Sequence, residues 1–185
     1  MKVVGITGTI GAGKGTIVEY LMTQKGFTHY SVRGYLIREI TQRGLPLNRD
    51  SMVQVANELR AKHSPAFIVE ELYREAIAVG KDCVIESIRT PGEVDALRRV
   101  PGFMLLAVDA EPEIRYSRIF SRGSETDQID YRTFLANEAR EMNSKDPNHQ
   151  NLHQCIRMAD VVMLNNGTMK ELYDQVEAWL ETANT

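Results

Sequence analysis

One short glycine-rich stretch constrains this chain more than any other part of its sequence. It follows the apolar run 3–6 and reads Gly8-Thr9-Ile10-Gly11-Ala12-Gly13-Lys14-Gly15-Thr16. Glycines let backbone N–H groups curl round a phosphate, a helix N-terminus adds partial positive charge, and a lysine supplies a mobile cation. Because a strand pattern precedes the stretch and a helix pattern opens at Lys14, the stretch is typical of a P-loop. We therefore expect residues 8–16 to hold the phosphates of a nucleotide.

Short apolar runs alternate with amphipathic stretches along the rest of the chain. The pattern predicts strands over residues 2–7, 28–32, 82–87, 102–109 and 159–164. It predicts helices near residues 14–25, 35–43, 50–62, 65–80, 91–99, 112–122, 130–143 and 169–182. Strand–helix–strand repetition indicates an α/β fold with a parallel sheet, and ligands of such sheets bind at the carboxyl ends of the strands.

Two pairs of residues mark helix starts in this pattern. Thr90 precedes Glu93 by three positions, and Thr168 stands in the same relation to Glu171. A hydroxyl followed by a glutamate at this spacing predicts a capping box, in which each side chain meets a backbone N–H of the other residue.

The basic residues are strongly biased toward arginine. The 185-residue chain contains 15 arginines and 7 lysines, yet its formal net charge is only −3. Arginine binds phosphate and carboxylate in a planar, bidentate manner, so the bias favours an anionic ligand. The acidic balance gives no reason to expect a nucleic-acid or membrane partner.

The cysteine usage and the apolar runs suggest a compartment. Cys83 and Cys155 are far apart and lack CxxC spacing, which favours a reducing cytoplasm. No leader pattern opens the sequence, and the longest apolar run, 103–108, is far below the roughly 20 residues that span a bilayer. His149 and His153 precede Cys155 on a predicted exposed helix at 148–158, but no fourth zinc ligand is near them.

The Gly-Lys-Gly-Thr form of the loop resembles that of the P-loop nucleoside monophosphate kinases, of which adenylate kinase is the best known. It also resembles the loop of the related dephospho-CoA kinases. The resemblance implies a three-layer P-loop fold, and we expect a five-stranded parallel sheet of order 2-3-1-4-5. It also implies one domain, with a core of residues 1–32, 81–121 and 133–185, a helical acceptor-binding module at about 33–80, and a short lid at about 122–132.

ATP and Mg²⁺ are the cofactors that this resemblance implies. The residue after the P-loop lysine, usually a Ser or Thr that meets Mg²⁺, is Gly15, and the hydroxyl comes one residue later at Thr16. Residues 84–90 look like the Asp-Gly-Phe-Pro-Arg-Thr segment of adenylate kinases, shortened by one residue. By that match Glu86 would hold the metal and Arg89 would hold the acceptor phosphate, while the shifted hydroxyl of Thr16 would reach the metal through water.

Further arginines match the acceptor side of these kinases. Arg38 corresponds to the arginine of the Leu-Leu-Arg segment, and Arg60 lies on a flank of the predicted acceptor-module helix 50–62. The acid that precedes this region in the relatives is replaced by Gly34 and Tyr35. A hydroxyl acceptor needs a general base, whereas a phosphate acceptor is already anionic, so the loss favours a phosphate acceptor.

The lid side of the resemblance rests on residues 118–123, which are similar to the Arg-Ile-x-x-Arg-Arg of adenylate kinases. Arg118 and Arg122 are spaced i,i+4, so both can point at one anion. Arg140, on the helix after the lid, is a further candidate for the acceptor. Asn166 lies in an Asn-x-Gly passage that looks like the adenine-bordering loop of dephospho-CoA kinases, although it is equally a turn signal.

These matches predict an enzyme that transfers the γ-phosphoryl group of ATP to a nucleoside or deoxynucleoside monophosphate. Its predicted catalytic residues are Lys14, Arg89, Arg118 and Arg122. Two alternatives remain open: a dephospho-CoA kinase-like enzyme, and a regulatory module that binds or hydrolyses a nucleotide. Against the second, the chain lacks the Asn-Lys-x-Asp motif of switch-type GTPases. All of these readings imply small nucleotides as partners.

Overall fold

The computed structural model describes residues 1–123 and 129–182. The strands are β1 Val3–Gly8, β2 Thr28–Ser31, β3 Cys83–Glu86, β4 Phe103–Asp109 and β5 Val161–Leu164. The helices are α1 Lys14–Lys25, α2 Val32–Gln42, α3 Arg49–Lys62, α4 Phe67–Val79, α5 Pro91–Leu97, α6 Pro112–Arg122, α7 Tyr131–Met142, α8 Leu152–Arg157 and α9 Met169–Thr182. Over these described ranges, no helix combines the length and the apolar character that a membrane span requires.

The five strands form one parallel sheet in the order β2-β3-β1-β4-β5, which confirms the predicted order. β1 is central and buried along its whole length. Ile6 of β1 lies level with Glu86 of β3 and Leu106 of β4. Because all strands run in the same direction, their carboxyl ends meet at one edge of the sheet, where the loop after β1 begins.

Helices cover both faces of the sheet and create two separate apolar cores. Val4 and Ile6 of β1 contact the core formed with α1 and α9. Val3 of the same strand contacts the opposite core, to which α2, α3, α4, α5 and α8 contribute. The alternation follows from the period of two in a strand. The result is the predicted three-layer α/β fold.

Two helices begin three or more residues away from the predicted start. α2 begins at Val32 rather than near residue 35, because the Ser31 hydroxyl accepts a hydrogen bond from Gly34 N at 3.1 Å and caps the helix immediately after β2. The predicted exposed helix at 148–158 is shorter and only partly exposed. It spans Leu152–Arg157, and its Leu152 and Cys155 are buried, since an i,i+3 pair of apolar side chains faces the core.

The predicted capping box at the start of α5 is confirmed, and its glutamate also carries a buried ion pair. The Thr90 hydroxyl accepts from Glu93 N, and Glu93 Oε2 accepts from Thr90 N at 3.0 Å. Glu93 Oε1 accepts from Arg60 Nε at 3.2 Å and from Arg60 Nη2 at 2.8 Å. Both side chains are almost completely buried. The pair therefore fastens α3 to the start of α5.

We predict that Glu93→Gln lowers the free energy of unfolding by about 3–5 kcal/mol, because it leaves the buried Arg60 guanidinium without its counter-charge. Chemical denaturation monitored by circular dichroism measures the change. The control is Glu75→Gln, which removes the partner of Arg38 in an exposed ion pair and should change stability little. A similar small loss in both variants would contradict the importance given to the buried pair.

Candidate functional site

The loop between β1 and α1 is held in shape by a residue that follows the edge strand β5. Gly13 precedes α1 with φ 108°, and a Cβ atom there would lie 2.3 Å from Asn165 Nδ2. Only glycine therefore suits this position. The Asn165 amide, almost fully buried just after β5, donates to Ala12 O at 2.8 Å. Asn165 was not among the sequence-predicted residues, which included its neighbour Asn166 instead.

Lys14 lies inside this loop and is folded back on it. Its Nζ donates to Gly8 O at 2.9 Å and to Thr9 O at 2.7 Å. Burial, followed by the nearby charge of Arg89, lowers the pKa of Lys14 from 10.5 to about 7, although the charge of Glu86 acts in the opposite direction. A phosphate bound beside the amine would favour its charged form. The loop thus presents a cation that an anionic ligand stabilises.

A cleft of about 620 Å³ opens beside the loop at the carboxyl edge of the sheet. Its volume is in the usual range of small-molecule sites. Ten predicted site residues line it together. They are Ile10, Gly11, Gly13, Lys14, Gly15 and Thr16 of the loop, with Glu86, Arg89, Arg118 and Arg122. The structure therefore brings together both halves of the predicted site, the loop and the arginines.

Glu86 closes the bottom of the cleft at the end of β3. His29 of the neighbouring strand β2 lies 3.0 Å from Glu86 Oε2 through its Nε2 atom. Burial alone would raise the pKa of Glu86, but the hydrogen bond and charge of His29, with the charges of Lys14 and Arg89, lower it overall. Glu86 is therefore a carboxylate at neutral pH.

The donor set suits a magnesium ion that shares its coordination with a ligand. A carboxylate from Glu86 and a hydroxyl from Thr16 face the same cleft, and Mg²⁺ prefers such oxygen ligands. The described residues contain no cluster of three or more His, Cys, Asp or Glu side chains. Mg²⁺ that is bound mainly by phosphates needs only one or two protein ligands, so these residues fit the group.

Ser87 adopts an unusual backbone conformation directly after Glu86. Its φ is 72°, the one positive value among non-glycine residues in the described parts of the chain. The N–H groups of Ser87 and Ile88 both donate to Ile6 O at 3.1 Å, which turns the chain sharply into the cleft. The glycine at this place in the Asp-Gly-Phe-Pro-Arg-Thr segment was the available sequence signal for such a turn.

Arg118 links α6 to the residue that clamps the loop. Its Nη2 donates to Asn165 O at 2.9 Å. Its Nη1 is buried and has no hydrogen-bond partner among the described residues. A buried guanidinium N–H is costly unless something accepts from it, so this donor points to an anion in the cleft. Residues 124–128, at the centre of the predicted lid, lie outside the described residues.

A smaller pocket of about 90 Å³ adjoins the cleft on the side of α2 and α3. Both are lined by Ser87 and Arg89 and by two arginines that sequence reasoning missed, Arg33 and Arg49. The wall of the smaller pocket is apolar where Val32, Leu36, Met52, Val53 and Ala56 line it. Arg33 and Arg49 lie at helix starts and carry no motif, so only the fold shows that they face the site.

Arg89 is fixed at both backbone groups and along its side chain. Its N–H donates to Glu93 Oε2 and its carbonyl accepts from Asn151 N, both at 2.8 Å. Its Nη1 donates to Glu141 Oε2 at 2.7 Å and to Gln150 Oε1 at 2.9 Å. The predicted arginine is therefore preorganised at the junction of the cleft and the smaller pocket.

Three predicted acceptor residues do not lie as the sequence suggested. The Arg38 side chain is 55% exposed and pairs with Glu75 on the outer side of α2. Arg140 is 51% exposed, with Asp50 3.9 Å away. Neither lines the cleft or the smaller pocket. Arg60 lines the smaller pocket, but it is buried against Glu93 rather than placed on an accessible flank.

Asn166 also lies away from the cleft. Its Oδ1 accepts from Glu111 N at 2.8 Å, and it lines a separate groove of about 520 Å³ together with Thr9. Its predicted contact with the nucleotide stays a prediction, and the residue that contacts the loop backbone here is Asn165.

A comparison of the sequence with protein-family models decides the family. The model of AAA_18, described as an AAA domain, matches residues 4–146. The chain belongs to this AAA domain family. The match begins in β1 and extends through the loop, the cleft residues and α7, so it includes the whole arginine-lined part of the site.

Relatives of this AAA domain protein occur among archaea. A UPF0200 protein of Methanococcus maripaludis is 29% identical, and the match covers 98% of this chain and 97% of the relative. A UPF0200 protein of Pyrococcus horikoshii is 26% identical over 93% of this chain and 92% of its own length.

Solved structures share the architecture at low identity. TT1252 from Thermus thermophilus has a TM-score of 0.65 and 20% identity, covering 98% of this chain and 97% of that one. Shikimate kinase from Bacteroides thetaiotaomicron has a TM-score of 0.55 and 12% identity, covering 100% and 99%. At such identities the likeness shows the fold alone, a three-layer α/β fold around a five-stranded parallel sheet.

We predict that Gly15→Ala stabilises the free protein and weakens ATP binding. A Cβ at this helical position meets nothing within 4 Å, so the change should add about 0.5–1 kcal/mol of stability. The same Cβ narrows the cleft that Gly15 lines. Thermal unfolding and titration calorimetry measure the two effects.

The matched control is Gly34→Ala, a helical glycine of α2 whose Cβ would make only an ordinary contact with Ser31. It should raise stability without changing ATP affinity. Unchanged ATP affinity in Gly15→Ala would show that the ligand does not approach the loop at this point.

Proposed function

We propose that this protein is an ATP-dependent phosphotransferase that moves the γ-phosphoryl group of ATP to a nucleoside or deoxynucleoside monophosphate. The observation that carries the proposal is a cleft with two cationic sides. Lys14 stands on the loop side, while Arg33 and Arg49 stand on the side of the smaller pocket. Arg89 lies between them. Two phosphate groups held on these two sides would face each other.

The loop side suits the phosphates of ATP. The backbone from Gly11 to Gly13 leads into the N-terminus of α1, where N–H groups can bind a phosphate. Lys14 Nζ donates to the carbonyls of Gly8 and Thr9, and a bound phosphate would compete with them for the amine. Thr16 and Glu86 would hold Mg²⁺, which would neutralise charge on the phosphate oxygens when bound. Catalysis on this side is electrostatic and needs no covalent intermediate.

The arginines of the cleft suit the phosphoryl group during transfer. Arg89 and Arg118 reach the cleft from opposite elements, the β3–α5 loop and α6, and Arg122 lines it one turn beyond Arg118. Guanidinium groups in such a site stabilise the negative charge that spreads over the transferred oxygens. The backbone bond of Arg89 to Glu93 and the bond of Arg118 to Asn165 hold these residues in place before the phosphates bind, which reduces the reorganisation needed.

The acceptor side favours a phosphate-bearing nucleotide over an alcohol. The arginine-lined mouth of the smaller pocket can hold an anionic group, and its apolar wall can hold an uncharged ring. Gly34 and Tyr35 stand where the related kinases have an acid that activates a hydroxyl acceptor, and neither residue can act as that base. In this proposal α2–α4 form the acceptor-binding module of residues 33–80. The resemblance to nucleoside monophosphate kinases implies a module at the same place.

A dephospho-CoA kinase-like reaction remains the second candidate, and one observation favours it. Glu86 is a carboxylate inside the cleft and is hydrogen-bonded to His29, so a hydroxyl acceptor would find a base there. The two reactions differ in their acceptors, so a substrate screen separates them. The screen measures ATP-dependent ADP release with ribo- and deoxynucleoside monophosphates and with dephospho-CoA. Acceptor-dependent turnover with a monophosphate supports the proposal, and none with any acceptor refutes it.

We predict that Arg89→Ala lowers kcat/KM for the acceptor by about a hundredfold or more and leaves ATP affinity nearly unchanged. Steady-state kinetics and calorimetry measure the two quantities. Arg38→Ala is the matched control, since Arg38 lies outside the cleft and should retain full activity. A loss of activity in Arg38→Ala with normal activity in Arg89→Ala would reverse the assignment of the two arginines.

A further inference from the structure

A carboxylate lies between two arginines at the mouth of the smaller pocket. Glu141 of α7 accepts from Arg89 Nη1 through Oε2 at 2.7 Å and from Arg49 Nη2 through Oε1. Arg49 begins α3 and Arg89 follows β3, so the carboxylate joins three separate elements. Two guanidinium groups that donate to one pair of oxygens can bind a phosphate group in the same way.

The site around this carboxylate is buried and charged. The Glu141 side chain is only 5% exposed. Burial by itself would raise the pKa of Glu141, but the charges of Arg89 and Arg49 and their hydrogen bonds lower it, so the group is anionic at neutral pH. Arg49 Nε is buried and has no hydrogen-bond partner within the described residues. The arginine pair therefore offers more donors than one carboxylate uses.

We propose that Arg49 and Arg89 form the anion site for the acceptor, and that Glu141 occupies this site in the free protein as an internal substitute for the acceptor phosphate. The inference rests on the proposed function for the identity of the acceptor. A phosphate monoester has three unesterified oxygens that share two negative charges, so it can accept from both guanidinium groups and from the unused Arg49 Nε. Its binding displaces the Glu141 carboxylate.

Displacement makes Glu141 a specificity-determining residue. An uncharged acceptor cannot replace a carboxylate between two guanidinium groups, because it would leave their charges uncompensated in a buried place. A phosphate dianion can do so, since its attraction to the pair exceeds that of a single negative charge. The site therefore selects for a phosphate monoester, and Glu141 lowers the affinity for every anion that enters.

The test is the affinity for inorganic phosphate, measured by titration calorimetry. Glu141→Gln removes the competing charge, so we expect its Kd for phosphate to be about tenfold or more below that of the unchanged protein. Glu75→Gln is the matched control. Glu75 pairs with Arg38 at 3.1 Å in an exposed ion pair and lines neither the cleft nor the smaller pocket, so phosphate affinity should stay the same.

A double-mutant cycle assigns the gain to the arginine pair, because phosphate can also bind at the loop. The gain from Glu141→Gln should disappear in the presence of Arg49→Ala. An unchanged or weaker affinity in Glu141→Gln overturns the proposal, since Glu141 would then orient the arginines rather than compete. A gain that persists without Arg49 overturns it as well.

A second variant tests the inference if Glu141→Gln folds poorly. Glu141→Asp keeps the charge, but its shorter side chain cannot reach both arginines, so its Kd for phosphate should be at least about threefold lower than that of the unchanged protein. An equal or weaker affinity again overturns the inference. Phosphate binding needs no turnover. If the Glu141 variants bind phosphate more tightly but the protein transfers no phosphoryl group to any acceptor, the proposed function alone is refuted. If the protein transfers the group but the variants show no gain in phosphate affinity, only the role of Glu141 is refuted.

Discussion

The carboxylate of Glu93 is the contact on which the arrangement of the site depends. Its four hydrogen bonds reach Arg60 on α3, the backbone of Arg89, and the first residue of the α5 cap, Thr90. Because the group is completely buried, each bond is worth more than it would be at the surface. The Glu93 carboxylate therefore fixes the position of α3, through Arg60, relative to that of Arg89 in the cleft.

Arg89 carries that positioning into the cleft. Its backbone is fixed by Glu93 and Asn151 and its side chain by Glu141 and Gln150, so four parts of the chain converge on one residue. The short helix α8 contributes to this positioning because its N-cap residue, Asn151, donates to the Arg89 carbonyl. Because the backbone bonds of Arg89 and its bond to Gln150 remain when an anion displaces Glu141, the guanidinium has little conformational freedom to lose at that step.

The local motifs explain why much of this could be predicted from the sequence. A loop such as 8–16 binds phosphate through its backbone, so its function can be predicted without tertiary information. The alternation of strands and helices predicted a parallel sheet with its ligand edge, and the family resemblance supplied the strand order. Arg33, Arg49 and Glu141 could not be found in this way. They reach the site from helix faces, and which arginine of α2 turns inward depends on the capping of that helix at Ser31. The site roles of all these residues remain predictions.

The clamp formed by Asn165 has a consequence for how the binding loop comes to exist. The loop is encoded within the first sixteen residues, but the amide that fixes Ala12 and fills the space beside Gly13 follows β5, the edge strand of the sheet. During synthesis the motif is therefore made before β5, and the contact that fixes Ala12 exists only when β5 lies beside β4. A protein with an intact glycine-rich motif but a displaced β5 would possess the signature of a phosphate site without the site itself.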